Sequence, residues 1–163
     1  QYGANFISVI PANVYGVNDH FDENGHVLAA LVEKVHFACN NMSKKVSIWG
    51  TGEPRREFFF VDDLADACIF LLKKYDRPEV INLGIGKETS IAELVLMIKE
   101  VAGFNGRLVF DKSKPDGNPR RLLDNSKVTA LGWKASTSLE EGLSVTWEWH
   151  RNKRKNKLKF KEK

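Results

Sequence analysis

Phe6-Ile7-Ser8-Val9-Ile10-Pro11-Ala12-Asn13-Val14-Tyr15-Gly16 runs from an apolar, β-branched stretch into a turn. Five residues without a charge, Phe6 to Ile10, have the composition of a strand buried on both faces, as in a parallel sheet. A domain rarely begins with its central strand, so the partners of this strand are expected in a preceding half, or in a rearranged or oligomeric fold. The Pro11 to Gly16 segment then falls at a strand's carboxyl end, where open α/β sheets bind ligands. On residue types alone, an ordinary turn fits it equally well.

The rest of the chain alternates in the same way. Val27, Ala30, Leu31, Val35 and Ala38 predict a helix over His26 to Asn40, and Val46 to Trp49 predicts a strand ending in Gly50-Thr51-Gly52. Glu57 to Val61 reads as a strand. Asp62 or Asp63 is placed to cap a helix with Leu64, Ala67, Cys68 and Leu71 on its apolar face. Val80 to Leu83 is the next strand. A capping box, Ser90-x-x-Glu93, opens a helix that Gly103 closes, and Arg107 to Phe110 is a further strand. Lys112 to Arg121 is too rich in Pro, Gly and charge for regular structure. Asn125 to Leu131 is a short helix, and a second box, Ser138-x-x-Glu141, starts a last one with Leu139, Leu143 and Trp147 facing the core. The pattern predicts an α/β sheet with an appended α+β part.

The chain has 163 residues, 42% hydrophobic and 28% charged, which suits one globular domain and excludes collagenous or wholly disordered classes. No apolar run reaches the roughly 20 residues of a membrane span, and no signal peptide opens the chain, so a soluble, cytoplasmic protein is expected. Cys39 and Cys68 sit in helical patterns as small hydrophobes; neither a disulfide nor a zinc site is indicated, and His20 and His36 have no ligand spacing. The net charge of +4 is uneven. Arg151 to Lys163 holds eight Lys/Arg and one Glu, so this tail carries +7 and residues 1–150 carry −3. A basic, disordered tail at 151–163 is therefore expected behind a folded unit at 1–150. Anion binding through it is the alternative function, while the lack of an aromatic platform beyond Phe160 argues against nucleic acid as a partner.

Neither Gly84-Ile85-Gly86 nor Gly50-Thr51-Gly52 completes a dinucleotide or P-loop fingerprint, and no helix is expected to follow Gly52 directly. Trp49 with Arg56 offers an aromatic face and a cation near each other, as an anionic nucleotide needs; a core tryptophan and a surface ion pair fit as well. Asp116, Arg120 and Arg121 add charge to the polar loop.

Taken in order, Asn13-x-Tyr15-Gly16, His26, Trp49-Gly-x-Gly-x-x-x-Arg56-Glu-Phe-x-x-Val-Asp-Asp63 and Lys114-Pro-Asp-Gly-x-Pro-Arg-Arg-x-Leu-Asp124 resemble the extended short-chain dehydrogenase/reductase family. Among its nucleotide-sugar enzymes, the likeness is strongest to those that epimerise and reduce a GDP-4-keto-6-deoxy sugar. It covers residues 1 to about 150. The resemblance implies the C-terminal part of an NAD(P)-binding Rossmann-like fold with its small α+β substrate-binding domain. It implies NADPH (NADP) as cofactor, a GDP-sugar as substrate, and a homodimer in the full-length enzyme. Pro11, Ala12, Asn13 and Val14 match the segment along the nicotinamide end of the cofactor. His26 matches the catalytic acid, also near the cofactor. Lys34, Trp49, Arg56, Asp116 and Arg121 match substrate-binding positions, with Lys34 standing where arginine is usual, so that a bidentate fork is lost. The family's glycine-rich fingerprint, its cysteine base and its Tyr-x-x-x-Lys pair precede the first strand of this chain. The resemblance thus implies the substrate-side half of such an enzyme, inactive by itself; a related nucleotide-sugar epimerase, dehydratase or reductase is the alternative.

Overall fold

The computed structural model describes residues 2, 4, 6–22 and 25–159, with side chains through Arg154. Its strands are β1 (Val9–Pro11), β2 (Asn13–Tyr15), β3 (Lys45–Trp49), β4 (Arg55–Arg56), β5 (Phe58–Phe60), β6 (Ile81–Leu83), β7 (Thr89–Ser90), β8 (Arg107–Asp111) and β9 (Arg120–Arg121). Between them lie α1 (Val27–Asn40), α2 (Val61–Lys74), α3 (Ile91–Ala102), α4 (Ser126–Ala130) and α5 (Leu139–Lys159). Three pairs are parallel: β1 with β6, β2 with β5 and β3 with β8. The short β4 runs between β7, antiparallel, and β9, parallel. The mixed α/β class is therefore as expected.

Two apolar cores form. Tyr15, Phe58 and Phe60 join the inner faces of α1, α3 and α5 in one, while Phe59, Ala67, Leu71, Ile81, Leu83 and Trp133 make the other around α2 and β6. A strand points successive side chains to opposite faces, so β5 alone feeds both cores.

Local chemistry sets several boundaries. Ser90 Oγ accepts from Glu93 N, the Glu93 carboxylate accepts from Ser90 N, and Gly103 ends α3 at a φ of 64°. The Ser138–Glu141 box is likewise formed ahead of α5. Gly142 lies in the first turn of α5, where an added Cβ would stand 2.1 Å from Tyr15 Oη, so the glycine permits the buried tyrosine. Cys39 and Cys68 are free and half-buried.

Other expectations are corrected. The first strand covers Val9–Pro11 rather than Phe6 to Ile10, and with only β6 beside it among the described strands it leaves Phe6 83% and Ile10 44% exposed. A run buried on both faces needs cover on both. Neither Asp62 nor Asp63 caps α2, because the helix begins at Val61 and places both inside its first turn, where negative charge suits the helix dipole. Asp63 instead accepts from Ser136 N, Ser136 Oγ and Thr137 N, and fastens the segment before α5. Within the polar loop Arg120 and Arg121 form β9, since β4 offers them an edge. Across residue 150, α5 has a helical backbone through Lys159, and its Arg154 bonds Glu33 on α1. Of the tail read as disordered, residues 160–163 lie outside the described residues.

The expected strand from Glu57 to Val61 is broken at its first residue. Glu57 turns inward and is 0% exposed. Its Oε1 accepts from Ile85 N at 3.0 Å and Gly86 N at 2.8 Å, and its Oε2 from Leu123 N at 2.8 Å. Gly84 passes so close that an added Cβ would lie 2.7 Å from that carboxylate. One side chain thus joins β4 and β5 to the turn after β6 and to the segment after β9. Asn13 Nδ2 donates to the Glu57 carbonyl at 2.9 Å and ties β2 to the same point. Replacing Glu57 by Gln puts an amide donor among N–H donors. We expect urea unfolding of Glu57→Gln to show about 2–4 kcal/mol less stability than the parent; a change below 0.5 kcal/mol, on the order of a surface substitution, would refute this account of the carboxylate.

Candidate sugar-nucleotide site

Two successive strand residues present opposite faces, and β4 consists of two arginines. Arg55 pairs in register with Arg120 of β9, and Arg56 with Arg121. On the first face the charge is answered. Arg120 Nε and Nη2 each donate to a Glu88 oxygen at 2.8 Å, which holds the Glu88 carboxyl below its ordinary range. Arg55 Nη2 lies 3.2 Å from Glu93 Oε2. On the second face no carboxylate of the described residues pairs with Arg56 or Arg121. Arg56 Nη1 donates to the Arg55 carbonyl at 2.7 Å, and its Nη2 lies against Gly117. The surface ion pair between Arg56 and Glu57 does not form, because Glu57 spends its oxygens on backbone N–H groups. Arg56 is also half-buried on its strand.

Adjacent guanidinium groups of one sign are unfavourable by themselves and suit a shared anion.

The loop over this face is fixed by Asp116. Its Oδ1 accepts from Thr51 N at 2.9 Å and its Oδ2 from Thr51 Oγ1 at 2.7 Å, so the carboxylate is committed to protein. Gly50, at a φ of 78°, makes room for it. Beside the tie stands Trp49, 61% exposed at the end of β3, a surface aromatic rather than a core one. Lys34 Nζ of α1 lies 4.9 Å from its ring centroid and Lys114 Nζ of the loop 5.8 Å from it. Lys34 and Trp49 also line a groove of about 430 Å³ with Ala30, Phe37, Lys45 and Ser47. An aromatic plate with cations beside it, and an arginine pair under the same loop, is the chemistry that holds a base and a diphosphate.

The structure brings five of the expected residues into one run. Lys34 meets Trp49, Asp116 anchors the loop beside Trp49, and Gly117 carries the loop to Arg56, next to Arg121. Pro11, Ala12, Asn13 and Val14 form a separate half-buried group on β1 and β2, joined to the first through the Asn13–Glu57 bond. The Asn13 amide is thereby committed to the fold. His26 stands at the N-terminus of α1 with an exposed side chain and makes no side-chain cap there. Lys114 and Thr51 are contributors that reading residue types did not select, although Lys114 opens the Lys-Pro-Asp-Gly motif. No local signal marks Thr51.

The two glycine turns bind protein rather than ligand. The Ile85 and Gly86 amides, which could cradle a phosphate, already hold the Glu57 carboxylate. The Gly50–Gly52 turn does adjoin a helix start, because Gly52 and Pro54 carbonyls accept from Ala92 N and Ile91 N of α3. With those donors taken, no anion site remains there.

Residues 1–84 match the NAD dependent epimerase/dehydratase family. GDP-L-fucose synthase 1 of Arabidopsis thaliana is 52% identical over 151 residues, which are 92% of this chain and 47% of that protein. GDP-L-fucose synthase of Escherichia coli K12 is 43% identical over 159 residues, 91% of this chain and 50% of that one. A GDP-L-fucose synthetase of Naegleria fowleri, in a crystal structure bound to NADP, superposes with a TM-score of 0.88 at 32% identity, over 92% of this chain and 48% of that chain. The chain spans about half the length of the curated relatives it matches. If the second arginine face holds a diphosphate, inorganic pyrophosphate should raise the melting temperature of the parent chain, and Arg56→Ala and Arg121→Ala should each abolish the shift while leaving stability without ligand within about 0.5 kcal/mol. An equal pyrophosphate shift in both variants would place the anion elsewhere.

Proposed function

Because this chain belongs to the NAD dependent epimerase/dehydratase family, we propose that it is the sugar-nucleotide half of a GDP-L-fucose synthase, which converts GDP-4-keto-6-deoxy-D-mannose by 3,5-epimerisation and 4-reduction with NADPH. The observation that carries this reading is the Arg56–Arg121 pair, without an acid partner among the described residues, under a loop whose Asp116 and Lys114 reach Thr51 and the Trp49 ring that Lys34 also approaches. In it, Arg56 and Arg121 hold the diphosphate and Trp49 offers its face to a planar group. Asp116 positions the loop that carries Lys114. It is thus a positioning residue, because its oxygens bond Thr51.

Epimerisation beside a ketone removes a proton from carbon and returns one from the opposite face, which requires a base and an acid. His26 is the acid of this half: its exposed imidazole at the start of α1 is free of a capping role and available to a sugar ring. Bound NADPH supplies the hydride. Pro11, Ala12 and Val14, half-buried at the carboxyl end of β1 and along β2, fit the flat nicotinamide end of that cofactor. Its phosphates find no cradle in the two glycine turns, and the chain contains no Tyr-x-x-x-Lys. In this reading the chain binds and protonates but does not reduce alone. No helix of the described residues is long and apolar enough to cross a membrane. Cytoplasmic location and a homodimer of the complete enzyme belong to the same proposal.

We expect GDP to change the fluorescence of the exposed Trp49, and Arg56→Ala to weaken GDP at least about tenfold, a loss of one charge-assisted contact. His26→Gln should leave GDP binding intact, yet in the complete enzyme slow deuterium exchange at C3 and C5 by roughly 10²–10⁴. Exchange at the parent rate would remove His26 from the acid's role. NADPH-dependent turnover by the isolated chain would overturn the reading of this chain as a half-site.

A further inference from the structure

Away from the arginine face, α1 and α5 meet over a buried group of metal-ligand type. Glu33 and His36 are three residues apart on α1, so they share a face, and His150 reaches them from α5. One ligand atom from each lies within 4.8 Å of the others. His150 is 2% exposed, stacked on Phe21 at 4.3 Å between ring centroids and edge-on to His36 at 4.9 Å.

The group is not satisfied by protein. Three buried side-chain atoms of the described residues lack a hydrogen bond: Asp19 Oδ2, Glu33 Oε2 and His150 Nε2. Asp19 and His150 line one cavity of about 250 Å³ with Phe21, Asp22, Lys153 and Arg154, and Glu33 stands beside His150. His150 Nε2 and Glu33 Oε2 are only 2.7 Å apart, yet not in the direction of a hydrogen bond. The Asn40 amide lies 3.2 and 3.4 Å from the two His36 ring nitrogens. Buried groups left this way are rare, and each calls for a missing partner.

We propose that Glu33, His36 and His150 bind a divalent transition-metal ion of the zinc class, with Asp19 in the cavity beside His150. Two imidazoles and a carboxylate are a known zinc donor set, and ligand atoms on a tetrahedral ion stand about 3.3 Å apart, between the separations seen here. Small side-chain rotations suffice. Arg154 bonds Glu33 Oε1 and leaves Oε2 turned toward His150, the outer-sphere arrangement that orients a metal carboxylate. Two carboxylates answer the ion's charge beside Arg154 and Lys153. The ion would link α1, whose Lys34 serves the nucleotide groove, to the last helix. Residue spacing could not suggest this, because His36 and His150 come from opposite ends of the chain.

The test is zinc uptake by the full chain after removal of bound metal, followed by dialysis and metal analysis, with cobalt(II) absorption as the reporter of geometry. The parent should retain one equivalent and show the intense visible bands of tetrahedral cobalt. His150→Gln and Glu33→Gln should each weaken uptake at least about tenfold, whereas His20→Gln and Cys39→Ser, one at the surface and one beside the site, should keep it. Circular dichroism of the apo variants separates lost ligation from lost fold, and for a variant that does not fold the other ligand variant carries the test. Parent uptake no greater than that of His150→Gln would overturn the proposal and leave water in the cavity. Retention by both ligand variants, or loss in His20→Gln, would place the metal elsewhere and equally overturn it.

Discussion

A carboxylate with no exposure and three backbone N–H partners holds this molecule together at its centre. Glu57 is an anion supplied by the chain itself. The turn after β6 has amides that converge as they would on a phosphate, and the carboxylate occupies them permanently. Because the same residue sits between Arg56 and Phe58, its anchoring fixes where β4 ends, where β5 begins and which way Arg56 faces. Losing the carboxylate would leave buried donors unsatisfied, which costs far more than a single hydrogen bond contributes. The arginine face depends on that inward turn.

The electrostatics of the site follow from alternation. Of four arginines on two adjacent strands, the two on one face meet Glu88 and Glu93, and the two on the other meet no acid among the described residues. A protein that only needed charge balance would have no reason for this asymmetry. The proposed anionic ligand would give one, at the expense of some repulsion in its absence.

Much of this architecture could be read from residues. Capping boxes at Ser90 and Ser138 were legible because two short-range bonds are written in four consecutive positions. The apolar faces of α3 and α5, the alternation of strand and helix, and the Trp49 to Arg56 span were legible for the same reason: each is local. What escaped was non-local. Glu57 looks like any charged residue between an arginine and a phenylalanine until the turn after β6 is folded against it. Asp63 resembles a cap, yet it fastens a segment more than seventy residues away. β9 lay hidden in a loop of prolines and glycines because a strand of two residues has no periodicity; only its neighbour β4 defines it. Asp116 read as a ligand contact, and its partner Thr51 could be found only by closing the loop.

The three phenylalanines of β5 carry a consequence for how the chain comes apart. Phe58 and Phe60 lie in one core and Phe59 in the other, all three buried, on a strand whose parallel partner is β2. Neither core can loosen without withdrawing a ring from one side of that strand and disturbing the ring beside it. The two halves are therefore one cooperative unit in spite of their separate helices. Amide hydrogens of β5 can exchange with solvent only through openings that approach global unfolding, while those of the two-residue strands exchange through small local ones. β5 is for that reason the slowest part of the molecule, while β4 and β9, which carry the arginine face, open locally beneath a loop that Asp116 ties to Thr51.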